Sequence, residues 1–222
     1  MNGYGLIVTP WDTPEHVSKL LLIIRRNVYI YTNNFLTKEE MSYTNNYLFS
    51  LPYNFQHSIH VAKDGIVGLT SDQYSDTGIM LKEPLDEKFV KFLIEKFANK
   101  NNVKIKEILR GRANLTFRSI DQRPMEPHVD LRRVKKNYNF VYYANDADGN
   151  TNLFDKKYTG EHVDVNDLNI FKSFKPKAGH ALFFDGDIFH NWEYPKEVNF
   201  RFSVVINIVC DVDEAIMEKV PF

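Results

Sequence analysis

The sequence predicts a mainly β fold with supporting helices (α+β), of the closed or double-sheet kind to which jelly rolls belong. Residues 103–209 contain six segments with strand-like patterns and turn residues between them. Two amphipathic helical segments precede this region. The length of 222 residues suits one domain. We therefore expect a single domain over 1–222, with strands and supporting helices in 1–102, the β core in 103–209 and a tail in 210–222.

The composition excludes several classes of protein. Lys and Arg number 28 against 29 Asp and Glu, so no excess of charge marks the chain for nucleic acid or membranes. A single cysteine, Cys210, excludes an internal disulfide and any cysteine-based zinc site. The longest apolar run, residues 20–24, is far too short to span a membrane, and the first residues do not resemble a signal peptide. We expect a cytoplasmic protein, in the host cytoplasm if the 21 Asn and the 19 Lys against 9 Arg reflect the AT-rich genome of a phage.

The first hundred residues are predicted to contain short strands and two helices. Strands are expected at residues 4–9 and 28–31. The first helix starts at a capping box, in which Thr37 and Glu40 can bond to each other's backbone N–H, and it runs to about Phe49. The second helix starts near Pro84-Leu-Asp86. Its apolar stripe predicts burial against a sheet or a helix and contains Phe89, Phe92, Leu93 and Phe97.

After Asn102 the hydrophobic period changes from the helical to the strand value. In the last strand, residues 198–209, every even-numbered side chain is apolar, which predicts a face covered by the two helices. The opposite face carries Arg201, whose burial is costly unless an anion pairs with it. Residues 112–118 have a similar polar face, so the two strands indicate a lined pocket. The predicted strands are 103–117, 138–144, 150–155, 169–174, 179–184 and 198–209.

Two copies of the tripeptide His-Val-Asp could contribute to a metal site. In a strand, His128 and Asp130 project to the same face, and so do His162 and Asp164. A facial site with three ligands needs a residue from another strand, for which His190 is the best candidate. The 62 residues from His128 to His190 leave room for about four strands, whereas the 28 residues from His162 leave room for two or three. The longer spacing favours His128, Asp130 and His190 as the metal ligands.

These residues and their surroundings resemble the Fe(II)/2-oxoglutarate-dependent oxygenases, particularly the prolyl 4-hydroxylase-like branch found in many phages. The resemblance covers about residues 112–209. It rests on the motifs His128-Val-Asp130, Asp148-Gly-Asn-Thr151-Asn-Leu-Phe154, Leu182-Phe-Phe-Asp-Gly186, His190 and Arg201-Phe-Ser203. It implies a double-stranded β-helix in which His128, Asp130 and His190 bind Fe(II).

The resemblance also implies a cosubstrate and a reaction. A basic residue about ten positions after the second histidine binds the far carboxylate of 2-oxoglutarate, and Arg201 stands eleven after His190, with Ser203 completing the motif. The implied enzyme consumes O2 and 2-oxoglutarate, releases succinate and CO2, and hydroxylates a C–H bond. By likeness to the branch, the favoured prime substrate is a prolyl or other amino acid side chain.

The remaining contacts to 2-oxoglutarate are less determined by the resemblance. Many relatives have a Tyr where this chain has Thr116, so Tyr142 is one substitute, and Asn114 with Thr116 acting through water is another. Thr151 is a contact by family position, although a threonine at a hairpin edge is the plain alternative. The long connections at 118–136 and 155–168 are expected to form the mouth above the iron.

A cluster of basic residues near the first ligand leaves two other functions open. An oxidative demethylase acting on nucleic acid is the enzymatic alternative, and a jelly-roll binding module without catalysis is the other. We favour the simpler interpretation of the cluster, in which basic residues on strand edges serve solubility and prevent edge pairing. Its members are Arg110, Arg112, Arg118, Arg123, Arg132, Arg133, Lys135 and Lys136.

Overall fold

The structure, a computed structural model, describes residues 27–56, 68–75, 85–118, 124–132, 134, 136–213 and 218–220. In chain order the elements are β1 (Asn27–Thr32), α1 (Lys38–Ser50), β2 (Asn54–Gln56), β3 (Gly68–Ser75), α2 (Glu87–Asn101), β4 (Lys104–Phe117), β5 (Asn137–Tyr143), β6 (Thr151–Lys157), β7 (Ile170–Phe174), β8 (Ala181–Asp185), β9 (Ile188–Trp192), β10 (Phe200–Asp211) and β11 (Glu218–Val220). The strands form two antiparallel sheets. The predicted mainly β, double-sheet fold with helices is confirmed.

The two sheets differ in size. The major sheet has eight strands in the order β11-β1-β8-β5-β10-β4-β3-β2, and the minor sheet has three in the order β7-β6-β9. Because β10 lies between β4 and β5, the inner face of the major sheet combines side chains from these three strands. The segment 124–130 extends the minor sheet through a single antiparallel bridge to β9. This bridge brings His128 next to His190.

Both helices begin where the sequence predicts. The Thr37 hydroxyl accepts a bond from the Glu40 N–H at 3.2 Å, and the Glu40 carboxylate accepts one from the Thr37 N–H at 2.8 Å, which completes the capping box. Asp86 caps α2 by accepting a bond from the Lys88 N–H. Helix α2 then buries the apolar stripe of Phe89, Leu93 and Phe97, with Phe92 packed beside them.

Two apolar cores lie on opposite faces of the major sheet. The first is packed between the helices and the outer face, where Phe202 and Ile206 of β10 are fully buried. This confirms that the helices cover the apolar face of the last strand. The second core lies between the sheets, where Leu182 and Phe184 of β8 pack with Leu153 of β6. Burial of both faces leaves the polar inner positions of β4, β5 and β10 in an enclosed interior.

Four strands, β2, β3, β9 and β11, are missing from the prediction, in which the region of β11 belongs to the tail. Strand β3 has the sequence GLTSDQYS, whose Asp, Gln and Ser residues mask a strand pattern. Strand β9 has five residues and follows β8 after a two-residue turn, so the pair reads as one segment interrupted by Asp185-Gly-Asp187. The strand predicted at 4–9 lies outside the described residues. Neither described helix is long and apolar enough to span a membrane. The cytoplasmic location and the domain boundaries stay predictions.

Candidate metal centre and its cavities

The two histidines of the centre are joined by the bridge between segment 124–130 and β9. The His128 N–H donates to the His190 carbonyl at 3.0 Å, and the His190 N–H donates to the His128 carbonyl at 2.9 Å. Residues paired in this way point their side chains to the same face, and the two rings lie 4.6 Å apart. The Met125 N–H also bonds to the Trp192 carbonyl at 3.1 Å, so the segment is held at two levels.

Hydrogen bonds determine the orientation and the tautomer of both rings. The Nδ1 atom of His128 lies 3.1 Å from the Glu126 carbonyl, and that of His190 lies 3.0 Å from the Ile188 carbonyl. Because a carbonyl oxygen only accepts hydrogen bonds, each Nδ1 carries a hydrogen, and in the corresponding neutral tautomer the lone pair lies on Nε2. Both Nε2 atoms face Asp130, at 3.8 Å from Oδ1 and Oδ2 respectively. This tautomer leaves Nε2 available to a metal, while Nδ1–H donates to a backbone carbonyl, as is common for metal-binding histidines.

Asp130 is held by donors from the major sheet. The Arg110 guanidinium of β4 lies 3.0 Å from Oδ1, and the Asn207 amide of β10 donates to Oδ2 at 3.1 Å. Burial alone raises the pKa of this carboxyl, but Arg110, the two imidazoles and Asn207 outweigh burial and hold the pKa well below its usual range. Asp130 is therefore ionised, as a metal-binding carboxylate must be.

The donor set fits a divalent first-row metal. The ligand atoms of His128, Asp130 and His190 lie within 4.8 Å of one another, and no other such group occurs among the described residues. Two imidazoles and one carboxylate on one face leave coordination positions open, as in non-haem Fe(II) oxygenases. The second tripeptide has a different role, because His162 is exposed and the Asp164 carboxylate caps a short 3-10 turn through the Asn166 N–H.

Arg201 lies in the same cavity and is 3% exposed. Its Nη1 donates to the Ser203 hydroxyl at 3.1 Å and its Nη2 to the Thr151 hydroxyl at 2.8 Å, while its Nε has no hydrogen-bond partner. No carboxylate lies within salt-bridge distance of Arg201 in the part of the chain that the structure describes. Burial lowers the pKa of this guanidinium, which is the expected cost of an enclosed cation without a counterion. These features fit the carboxylate of an anionic ligand.

Two aromatic rings enclose the Arg201 guanidinium. Its Cζ atom lies 5.6 Å from the centroid of Tyr143 and 5.7 Å from that of Trp192, which are cation–π distances. The Tyr143 hydroxyl donates to the Thr151 hydroxyl at 2.9 Å, so Thr151 accepts bonds from both neighbours. Burial raises the pKa of Tyr143 to about 12, which keeps the phenol protonated. The guanidinium is thus fixed in orientation before any ligand arrives.

The other predicted contacts are placed as follows. Asn114 and Thr116 of β4 lie opposite Ser203 and Arg201 on β10, and Asn114 lines the cavity. The Asn114 Oδ1 and Thr116 Oγ1 atoms are buried without a hydrogen-bond partner. Tyr142 is a correction, because its ring packs in the helix-covered core, 5.9 Å from Phe35. Alternation along β5 turns its neighbour Tyr143 inward instead.

Three residues of the candidate site have no site role in the sequence-based prediction, in which Arg110 is only a member of the basic cluster: Tyr143, Arg110 and Asn207. Strand alternation could have identified Asn207, which shares the inner face of β10 with Arg201. The solubility interpretation of Arg110 and Arg112 is wrong. Strand β4 lies between β10 and β3, so these arginines occupy an inner strand and line the cavity.

Two cavities meet at His128. The inner one, about 40 Å³, extends between the metal ligands and Arg201, with Trp192 in its wall. The outer one, about 400 Å³, is lined by segment 125–128, by residues 158–165 and by Phe189. Both predicted mouth segments therefore contribute to its wall. Residues 119–123, 133 and 135 of the first segment lie outside the described residues. The narrow cavity suits a slender ligand and the wide one a larger molecule.

No protein-family model matches the chain, and no curated protein does. Solved structures do match. An oxidoreductase of the 2OG-Fe(II) oxygenase family from Burkholderia pseudomallei has 14% identity and a TM-score of 0.59, over 90% of this chain and 92% of that one. The epimerase SnoN, in complex with Fe3+, alpha ketoglutarate and nogalamycin RO, has 12% identity and a TM-score of 0.58, over 89% of this chain and 85% of that one.

A prolyl-4-hydroxylase from Pseudomonas putida has 12% identity and a TM-score of 0.54, over 82% of this chain and 92% of its own. These similarities cover most of each chain, so the likeness concerns the whole fold. Their low identity leaves the reaction undetermined, since an epimerase and a hydroxylase share the architecture. The chain has the double-stranded β-helix fold of the 2OG-Fe(II) oxygenases, with a His-Asp-His triad in its interior.

Proposed function

We propose that the protein is an Fe(II)- and 2-oxoglutarate-dependent dioxygenase that hydroxylates a C–H bond. One observation carries the proposal: a triad suited to a dication and a buried guanidinium suited to an anion face the same narrow cavity. A dicarboxylate that chelates the metal at one end and binds Arg201 at the other satisfies both groups at once.

Each part of the cavity then has a defined task. When bound, Fe(II) and 2-oxoglutarate supply the oxidative chemistry, with O2 as oxidant and succinate and CO2 as products. The three ligands hold the metal on one face and leave its other side open to the cosubstrate. Arg201 binds the far carboxylate, and Ser203 and Thr151 orient the guanidinium through the bonds that they accept. Enclosure between the sheets excludes water.

Reconstitution of the metal-free protein tests the proposal. With Fe(II), 2-oxoglutarate and O2, the wild-type protein should form succinate, and His128→Ala, Asp130→Ala and His190→Ala should lose both metal binding and turnover. Because His162 belongs to an identical tripeptide but lies outside the triad, His162→Ala is the matched control for metal binding and should bind Fe(II) as wild type does. Mn²⁺ and Zn²⁺ should occupy the site without turnover.

Two results would contradict the assignment. The first is wild-type Fe(II) affinity in His128→Ala, and the second is loss of metal binding in His162→Ala. A protein that binds iron tightly but never consumes 2-oxoglutarate would favour a binding module without catalysis. Circular dichroism of each variant separates loss of the site from loss of the fold.

The outer cavity is the proposed place of the prime substrate, because His128 forms part of its wall as well as of the metal centre. Tyr158 and Phe189 provide aromatic surface, and the Arg132 guanidinium lies 5.7 Å from the Tyr158 ring. Glu161 adds a carboxylate to the same cavity. Aromatic surface flanked by both signs of charge suits a peptide segment, which agrees with a prolyl or other amino acid side chain as substrate.

Mass spectrometry of peptides and free amino acids after turnover tests this placement, with gain of one oxygen atom as the signal. Once a substrate is found, Tyr158→Ala should raise its KM while leaving the KM for 2-oxoglutarate unchanged. Tyr43→Ala is the control, since Tyr43 is an exposed tyrosine on α1. An unchanged substrate KM in Tyr158→Ala would remove the outer cavity from the proposal.

The nucleic-acid alternative has less support. It depends on a basic surface, and two of the eight basic residues, Arg110 and Arg112, line the interior cavity instead. Titration of DNA and RNA at increasing salt distinguishes the two functions, because phosphate contacts weaken steeply with salt. Tight, salt-dependent binding would restore the demethylase.

A further inference from the structure

We infer that Arg110 and Asn207 form a positioning pair that sets the orientation of the Asp130 carboxylate toward the metal. The inference rests on the proposed metal site. Arg110 and Asn207 are not themselves proposed metal ligands, but each contacts the Asp130 carboxylate directly.

The three residues form a closed ring of hydrogen bonds. Arg110 uses Nη2 for Asp130 Oδ1 at 3.0 Å and Nε for the Asn207 Oδ1 at 2.8 Å. Asn207 returns the contact by donating from Nδ2 to Asp130 Oδ2 at 3.1 Å. Each carboxylate oxygen therefore has one donor of its own, so rotation of the carboxylate breaks both bonds together.

The ring is anchored on three neighbouring strands. Arg110 and Asn207 are direct partners across β4 and β10, and Asn139 is the partner of Asn207 across β5 and β10. The Asn207 Nδ2 also donates to the Asn139 Oδ1 at 2.6 Å. With its oxygen toward Arg110 and its nitrogen toward Asp130, the Asn207 amide has a single favourable orientation.

This arrangement divides the metal ligands between the sheets. His128 and His190 are fixed by the bridge at the minor sheet, whereas Asp130 is fixed by side chains of the major sheet. The major sheet thus sets the position of one ligand relative to the other two. Removal of a residue that hydrogen-bonds to a metal ligand typically weakens metal binding about 10- to 100-fold.

The positive charge of Arg110 should weaken metal binding, whereas its orientation of Asp130 should strengthen it. These opposite effects on metal affinity make the inference testable. If Arg110 acted only through its charge, its removal would strengthen metal binding, because a cation repels a dication. If Arg110 acts by orienting Asp130, its removal weakens metal binding. Arg110→Lys separates the two further, since a lysine keeps the charge but cannot form the two-point contact.

The experiment is a titration of the metal-free, full-length protein with Mn²⁺, followed by the visible spectrum of the Co²⁺ form, which reports ligand geometry. We expect Arg110→Met to weaken Mn²⁺ binding about 10- to 100-fold and to change the Co²⁺ spectrum. Arg110→Lys should weaken binding by a smaller factor. Arg118→Met is the matched control, because Arg118 follows the same strand and is exposed.

The outcomes are distinct for each failure. Unchanged or tighter Mn²⁺ binding in Arg110→Met overturns the inference, and so does a wild-type affinity in Arg110→Lys. If Arg110→Met fails to fold by circular dichroism, Arg110→Lys alone decides. A wild-type protein that binds no Mn²⁺ overturns the proposed function itself, whereas normal wild-type binding with insensitive variants overturns the positioning role alone.

Discussion

Two arginines that line the same cavity have contrasting environments. Arg110 is paired with a carboxylate and an amide of the chain, so its charge is balanced within the fold. Arg201 is more deeply buried, and its partners Ser203 and Thr151 are neutral hydroxyls. Arg110 lies on β4 opposite Asn207 of β10, and Arg201 lies on β10 itself. The two arginines therefore differ mainly in the side chains that they contact.

The difference indicates which of the two guanidinium groups is suited to bind an anionic ligand. A buried cation costs free energy unless an anion balances it, and the described chain supplies that anion only to Arg110. Arg201 is instead oriented by hydroxyls and by the rings of Tyr143 and Trp192, which fix its position without neutralising it. Arg110 therefore belongs to the candidate metal centre, and the environment of Arg201 fits the binding of an anion.

The largest expected effect comes from Arg201→Ala. Loss of a buried, charge-assisted contact should cost about 2–5 kcal/mol, or roughly 30-fold to several thousand-fold in 2-oxoglutarate affinity. Metal binding should persist, which is the reverse of the pattern expected for Arg110. Calorimetric titration of 2-oxoglutarate and of Mn²⁺ measures both quantities.

Arg201→Lys is the graded control for this prediction. A lysine keeps the charge but loses the two-pronged geometry, so its affinity should fall between those of wild type and Arg201→Ala. If Arg201→Ala binds 2-oxoglutarate as well as wild type, the two arginines have no division of roles, and the anion site must lie elsewhere in the cavity.

Thr151→Val should produce the next largest effect. The Thr151 hydroxyl accepts bonds from both Arg201 and Tyr143, so valine leaves two buried donors without this acceptor. We expect a loss of about 1–3 kcal/mol in the free energy of unfolding and roughly tenfold in 2-oxoglutarate affinity. Thr151→Ser keeps the hydroxyl and should stay near wild type. Equal behaviour of the two variants would show that the acceptor is unimportant.

Local periodicity predicted much of this site from the sequence. Alternation along residues 198–209 put Arg201 and Ser203 on the inner face, and the structure buries both. Tyr142 is predicted only as a substitute for the tyrosine of many relatives; its ring lies in the helix-covered core, and the neighbouring Tyr143 faces the cavity instead. A face assignment is robust only where one face of the strand is wholly apolar. In β5, residues 140–143 are all buried, so the pattern does not separate the faces.

Pairings between distant residues could not be predicted in the same way. Arg110 contacts Asp130 directly, and both also bond to Asn207 of β10, which lies 77 positions after Asp130 in the chain. A local count of basic residues around 110–136 contains no information on which of them turn inward. The inward orientation of these arginines depends on the position of β4 inside the sheet. Strand β3, which pairs with β4, has no clear strand pattern in its sequence.

Ser203→Ala tests the weaker half of the Arg201 environment. The Ser203 hydroxyl accepts one bond from Arg201 Nη1 at 3.1 Å, and loss of a single hydrogen bond costs about 1 kcal/mol. We expect about a fivefold weaker binding of 2-oxoglutarate and no change in Mn²⁺ affinity. The titrations that measure Arg201→Ala measure this variant too. A drop in Mn²⁺ affinity would argue that the two ends of the cavity are coupled.

The smallest expected effect is on stability and concerns the loop that leads into β10. The Asp148 carboxylate accepts bonds from the N–H groups of Lys196, Glu197 and Val198, just before the strand that carries Arg201. Partial burial alone raises the pKa of this carboxyl, but the backbone donors outweigh it and bring the pKa below its ordinary value. The ionised form is therefore favoured by folding.

Asp148→Asn keeps the shape of the side chain but removes its charge. At pH 7 the variant should lose about 1 kcal/mol in the free energy of unfolding, or about 2–4 °C in Tm. Because the folded pKa is depressed, the stabilisation by Asp148 is present above the unfolded pKa of about 3.9 and is lost as pH falls through the folded value. The Tm difference between the two proteins should therefore shrink below about pH 4, as thermal melts across pH will measure. A difference that is constant down to low pH would mean that Asp148 stabilises the loop by shape alone.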